Sequence, residues 1–86
     1  LQSWSSSVGT GTGIVCATTI DQTYYHTGGG TYPQAGDFAY SDSAGSTPLA
    51  SGSTPHYRFI DISGTPINKY ITITGSFGEI DSVTTC

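Results

Sequence analysis

The sequence predicts an all-β fold, a small antiparallel sandwich or meander sheet with essentially no helix. Three observations carry this. Apolar and polar residues alternate with a period of two through the second half, Gly and Pro punctuate the chain at short intervals, and no window repeats apolar residues at helical spacing. With 86 residues the chain makes one domain with a small core. Domains of this size bury so little surface that they commonly rely on a covalent staple or a partner.

Residues 1–13, LQSWSSSVGTGTG, have the Ser, Thr and Gly content of a linker or extended arm. Trp4 is the exception, because an indole in a polar segment docks on something. It packs either on the edge of its own domain or on a preceding domain or identical subunit, to whose sheet the arm would add itself. Residues 14–86 are read as the single β domain. IVCATTI, 14–20, is β-branched and bounded by Gly13 and Asp21, so it reads as the first strand, and QTYYH, 22–26, as the next.

The glycines at 28–30 forbid regular structure, and Pro33 biases Tyr32 toward an extended conformation. DFAY, 37–40, is a short alternating piece, SDSAG, 41–45, a turn, and Leu49 a plug at the edge of the core. HYRFIDI, 56–62, NKYITIT, 68–74, and EIDSVTT, 79–85, are three strands separated by Gly and Pro turns, which is the pattern of an antiparallel meander.

Charge narrows the function classes. Arg58 and Lys69 are the only Lys or Arg residues against six acidic ones, for a net charge of -4. Such a surface repels phosphate backbones and anionic membranes, so neither nucleic acid nor a membrane surface is expected as a partner. No apolar run approaches the roughly 20 residues a membrane helix needs. The chain begins at Leu1 and contains no Met, which is expected of a processed product or a piece of a longer polypeptide.

Cys16 and Cys86 are the only cysteines. Joined, they would close most of the chain into one loop and imply an oxidising compartment. Unjoined, they would be two buried thiols, or Cys86 would pair with a following segment. They lack the close pairs that zinc sites use, so no metal is expected there.

A Ser-His-Asp hydrolase could be assembled on paper from His26, His56 and Asp37, Asp42 or Asp61. The same is true of any Ser-rich chain with two histidines, and no nucleophile-elbow motif is present. The carboxylates Asp37, Asp42, Asp61, Glu79 and Asp81 make calcium the one conceivable ion. They match no EF-hand spacing, and Asp21, Asp37 and Asp42 suit turn capping better, so no cofactor is expected.

The six tyrosines are the more informative set. A Tyr ring packs its flat face on a sugar or a protein while its hydroxyl bonds outward. Tyr24, His26 and Tyr32 are therefore the candidate contacts to a glycan or protein receptor, with His26 and Tyr32 exposed beside the glycine loop. Tyr57, Tyr40 and one of Tyr24 and Tyr25 are assigned to the core.

From Cys16 to Cys86 the chain resembles a recurrent module. The order is Tyr24-Tyr25-His26 with following glycines, Pro33, Gly36-Asp37, Tyr40-Ser41-Asp42, Gly45, Thr47-Pro48-Leu49, Gly52 and Tyr57, then a late Ile/Thr-rich strand. Segments of this kind are found in large surface proteins of Bacteroidetes and in tail or surface proteins of their phages. Phe38-Ala39 departs from the more usual Thr-Val, and residues 1–13 lie outside the pattern.

The resemblance implies a non-enzymatic β-module, repeated or terminal, in an adhesin, filament or phage tail, with no catalytic residues to carry over. Asp42-Ser43-Ala44 and Asp81-Ser82-Val83 resemble the acceptor pattern for O-linked glycosylation in the same bacteria, which makes Ser43 and Ser82 modification candidates. The functional expectation is an extracellular structural and adhesive module at a cell or virion surface. The alternative is a carbohydrate-binding domain of a larger secreted enzyme.

Overall fold

Two three-stranded antiparallel sheets carry the chain, and the computed structural model describes all of its residues, Leu1–Cys86. The first sheet contains β1 (Gln2–Ser6), β2 (Gln22–His26) and β3 (Ala39–Tyr40), and the second contains β4 (His56–Asp61), β5 (Ile67–Thr74) and β6 (Glu79–Thr85), each in that order. There is no α-helix, only a 3₁₀ turn at Val15–Ala17. The expected meander is the second sheet, with Tyr57 opposite Ile71 and Ile71 opposite Val83.

Two expectations about the first twenty residues are corrected. Gln2–Ser6 is not an arm. It is β1, paired with β2 so that Trp4 lies opposite Tyr24, and the indole is 4% exposed in the domain's own core. Burying an indole in so small a core outweighs the polar composition around it. The serines enter at little cost because their hydroxyls find partners. Ser6 Oγ donates to Ser7 O, and Ser7 Oγ donates to Val8 O while accepting from Arg58 N.

IVCATTI is not a strand either. β1 already occupies the open edge of β2, so the segment turns at Val15–Ala17 and buries only Val15 there. Its carbonyls are held by side chains of the second sheet, Arg58 Nη1 donating to Thr18 O at 2.8 Å and Asn68 Nδ2 to Cys16 O at 3.2 Å. The propensity of β-branched residues for strands decides nothing when no edge is free.

The two sheets are stitched at both sides. Beyond β1, Ser7 N donates to Arg58 O, and Thr10 and His56 exchange backbone bonds of 2.8 and 3.2 Å. The Ser7–Thr10 side has one residue more than the facing His56–Arg58 side, a bulge at Val8-Gly9. Gly9 is required there, since a Cβ would lie 2.5 Å from Thr54 O and against the Tyr57 ring. At the other side Phe38 bridges Glu79, with Ala39 N donating to Gly78 O and Ile80 N to Asp37 O, both at 2.8 Å. The result is an irregular closed ring, which leaves few strand edges for unwanted pairing.

Trp4, Ala39, Leu49, Tyr57, Phe59, Ile71, Ile73 and Ile80 form the core, with Tyr24, Tyr32 and Val83 packed against it. Leu49 plugs the core edge as expected. Cys16 and Cys86 form a disulfide with a Cα–Cα distance of 5.8 Å, spanning 70 positions and joining the 3₁₀ turn to the residue after β6. It fits an oxidising, extracellular environment. No helix is long and apolar enough to cross a membrane.

Candidate functional site

The contact residues chosen from sequence, Tyr24, His26 and Tyr32, are all at least half-buried. His26 was expected at the surface and is fully buried. It ends β2 opposite Ala39, under the edge of Trp4 at 5.5 Å between ring centroids. Nδ1 faces only acceptors, Thr27 O at 2.6 Å and Asp37 Oδ2 at 3.2 Å, so it carries the proton and donates. Burial is stable because the ring is satisfied in this way, and it removes His26 from contact with any ligand.

Tyr24 belongs to the same inner row. Its ring meets Trp4 edge-on at 5.9 Å and Tyr57 at 5.7 Å. Burial, and then the charge of Asp21, push its hydroxyl pKa above the ordinary tyrosine value. Tyr57 is pushed up in the same direction by its own burial and by Tyr24, and it donates to Ala50 O at 3.1 Å.

Tyr32 was expected to be exposed and is half-buried, packed against the core while lining a surface hollow. Its ring stacks on Phe59 at 5.7 Å and 23°, and its hydroxyl accepts from Ile62 N at 3.1 Å. It separates two hollows. The larger, of about 480 Å³, has residues 31–35 as one wall and Phe59, Asp61, Ser63, Lys69 and Val83 as the other. The smaller, of about 370 Å³, runs between β1 and the end of β4, past Ser3, Ser5, Ile60 and Ile62.

His26 bears on the larger hollow through Asp37. The Asp37 carboxylate accepts from His26 and from Gln34 N at 3.1 Å, and Asp37 N donates back to Gln34 O at 3.0 Å. Gly28, at φ +86°, lies so close to Asp37 that a Cβ would meet the carboxylate. The buried clasp thus holds the 31–35 wall in place.

On the opposite wall Asp61 accepts from Ser63 N at 2.9 Å, Ser63 Oγ at 2.6 Å and Lys69 Nζ at 3.3 Å. The Ser63 hydroxyl first, then its amide and Lys69, hold the Asp61 carboxyl below the usual range, so it is ionised in neutral solution. The two cations of the chain therefore have different places, Arg58 in the scaffold and Lys69 in the hollow.

Neither histidine sits in a nucleophile, base and carboxylate series. His26 has its carboxylate, but Nε2 faces Thr31 O at 3.5 Å and no hydroxyl. His56 has a hydroxyl at each nitrogen, Thr72 at 3.0 Å and Thr12 at 2.9 Å, and no carboxylate among its hydrogen-bond partners. No three His, Cys, Asp or Glu side chains gather as a metal cluster. Asp42 is occupied locally. It accepts from the amides of Ser46 and Thr47 and from the Ser46 hydroxyl, and these bonds, the hydroxyl's first, hold its pKa down.

Ser43 is exposed on that 41–47 turn, whereas Ser82 is half-buried in β6 opposite Thr72. Asp61 was weighed from sequence only as a triad or calcium carboxylate, and Ser63, Lys69 and Gln34 were not chosen as site residues. Their signal lay in the hairpin register, which pairs Phe59 with Lys69 and Asp61 with Ile67 and so puts Asp61 and Lys69 diagonally on one face. Comparison with family models, curated proteins and solved structures finds no match to this chain.

Proposed function

We propose that this chain is a non-catalytic structural and adhesive β-module of an extracellular assembly, a surface filament, adhesin or phage tail, and that the hollow beside Tyr32 is its contact site. One observation carries the reading. Outside the core, the hollow is where an aromatic ring, an ion pair, a Ser hydroxyl and a Gln side chain converge between two braced walls. The division of parts between the histidines supports a binding role over a hydrolytic one. With Gln2–Ser6 paired inside the domain, neighbouring domains or identical subunits meet this module through other surfaces.

The second reading, a carbohydrate-binding domain of a larger secreted enzyme, is favoured by the pairing of Tyr32 with Asp61 and Lys69 in one hollow. Both readings predict contact without turnover. The test is multivalent display of the domain on beads and measurement of bead retention on cell surfaces and immobilised glycoproteins. Retention is expected, and it is expected to be lost in Ala35→Trp, which fills the hollow, but kept in Ala44→Trp on the 41–47 turn. Beads that adhere to nothing, or adhere equally in both variants, would remove the hollow from this role.

A further inference from the structure

We propose that the hollow beside Tyr32 is a subsite for one neutral pyranose unit of a glycan, with Asp61 and Lys69 as its polar clamp. This deepens the contact-module reading and rests on it.

Charge selects the ligand class first. Asp61 and Lys69 lie 3.3 Å apart and cancel, so the hollow has no excess charge for an ionic ligand to neutralise. An anion meets Asp61 and a domain of net charge -4, and a cation must displace Lys69. A polyol does neither. One of its hydroxyls donates to the carboxylate while a neighbouring one accepts from the ammonium, and both bonds are charge-assisted.

The unused bonding capacity has the same form. A carboxylate offers about four acceptor positions and an ammonium three donors. The Ser63 amide, the Ser63 hydroxyl and Lys69 take three positions on Asp61, and one Lys69 donor is used in doing so. Ser63 Oγ retains its lone pairs, and the Gln34 side chain lies on the opposite wall. The open positions are a mixture of donors and acceptors, which a neutral vicinal diol matches and a fully ionised phosphate, an acceptor alone, does not.

The apolar part of the hollow completes the fit. Tyr32 and Phe59, stacked on one another, line the hollow with Pro33, Ala35 and Val83 and give the C–H groups of a pyranose an apolar surface to pack on. Tyr32 is pinned at both ends, by Phe59 under its ring and Ile62 N at its hydroxyl, so little ordering is left for binding. A volume of about 480 Å³ lies within the range of small-ligand sites.

The experiment is titration of ¹⁵N-labelled protein with the methyl glycosides of glucose, galactose, mannose and N-acetylglucosamine at millimolar concentration. At least one is expected to shift amides at residues 31–35, 61–63 and 69. The apparent affinity is expected to fall about tenfold in Lys69→Met and in Ser63→Ala, as loss of one charge-assisted bond implies, with both spectra still dispersed. No response to any neutral glycoside, a stronger response to glycine or to a sialic acid, or equal affinity in both variants would overturn the subsite. Glycosides that bind here while beads fail to adhere would sink the adhesive reading alone. Beads whose adhesion Ala35→Trp abolishes, with no glycoside response, would sink the sugar subsite alone.

Discussion

The two sheets fill one core by different means. In β4 and β5 every second residue points inward, and β6 keeps its inward Ile80 and Val83 in line through a bulge opposite Thr72 and Ile73. Tyr57, Phe59, Ile71, Ile73 and Ile80 supply the bulk. In the first sheet the inward positions hold one Trp, one Tyr, one Ala and one His, and Leu49 is brought in from a loop. Buried Ser6, Ser7, Thr10 and His26 lie on that half too, each with a hydrogen-bond partner. Strands adjacent in sequence can be specified by a repeating pattern. Strands that meet across long connections are specified here by single contacts, each of which can be broken alone.

The disulfide is the largest of these single contacts and the one covalent cross-link in the domain. Closing a loop that spans 70 positions stabilises a domain by about 4 kcal/mol in the chain-entropy model. The double variant Cys16→Ala/Cys86→Ala is therefore expected to melt roughly 15–30 °C lower. Hydrogen exchange on this variant sharpens the comparison. Amides of β1 and β2 are expected to lose protection before those of β5, and simultaneous loss would mean that the halves form one cooperative unit.

The His26–Asp37 clasp is the next contact down. Asp37→Ala strips a buried ring nitrogen and the Gln34 amide of an acceptor, at a cost of about 1–3 kcal/mol. Exchange should quicken at 28–36 and stay slow in β5 and β6, as measured by amide exchange at neutral pH. Asp37→Asn, which keeps one acceptor oxygen, should recover part of the loss. Equal exchange in wild type and Asp37→Ala would show that the 31–35 wall is braced by something else.

The same contrast explains what could be read before the structure was known. The meander was legible because alternation, turns and register are all local there. The first sheet was not. Gln2–Ser6 looks like a linker by composition, and its strand character depends on Trp4 reaching a core that residues twenty and more positions away complete. IVCATTI looks like a strand by propensity, but whether it pairs is decided by which edge β1 has already taken.

In the candidate site, Tyr32 was singled out by its place between the glycines and Pro33, but its packing against Phe59, which half-buries it, depends on a strand more than twenty residues away. His26 was misread because its partner, Asp37, returns to it only after the loop closes. Asp61 and Lys69 become neighbours once β4 and β5 pair, and that pairing could have been projected from the two strand patterns.

The smallest expected effect tests the junction where the halves touch. Tyr24 of β2 and Tyr57 of β4 meet edge to face at 5.7 Å, and both hydroxyl pKa values are raised, chiefly by burial. An acid whose pKa is raised by folding holds its proton more tightly in the native state than in the unfolded chain. Its contribution is then fully present below the unfolded value of 10.0 and is lost as pH rises from there through the folded value. The melting midpoint should fall as pH is taken past 10, before any change in β-sheet circular dichroism at low temperature.

Tyr57→Phe should shrink that alkaline fall, while lowering stability by about 1 kcal/mol at neutral pH through loss of the bond to Ala50. An alkaline fall of the same size in Tyr57→Phe and Tyr24→Phe as in the wild type would mean that this aromatic contact is open to water. The halves would then be joined by the disulfide and the backbone stitches, with the aromatic row no part of the seal.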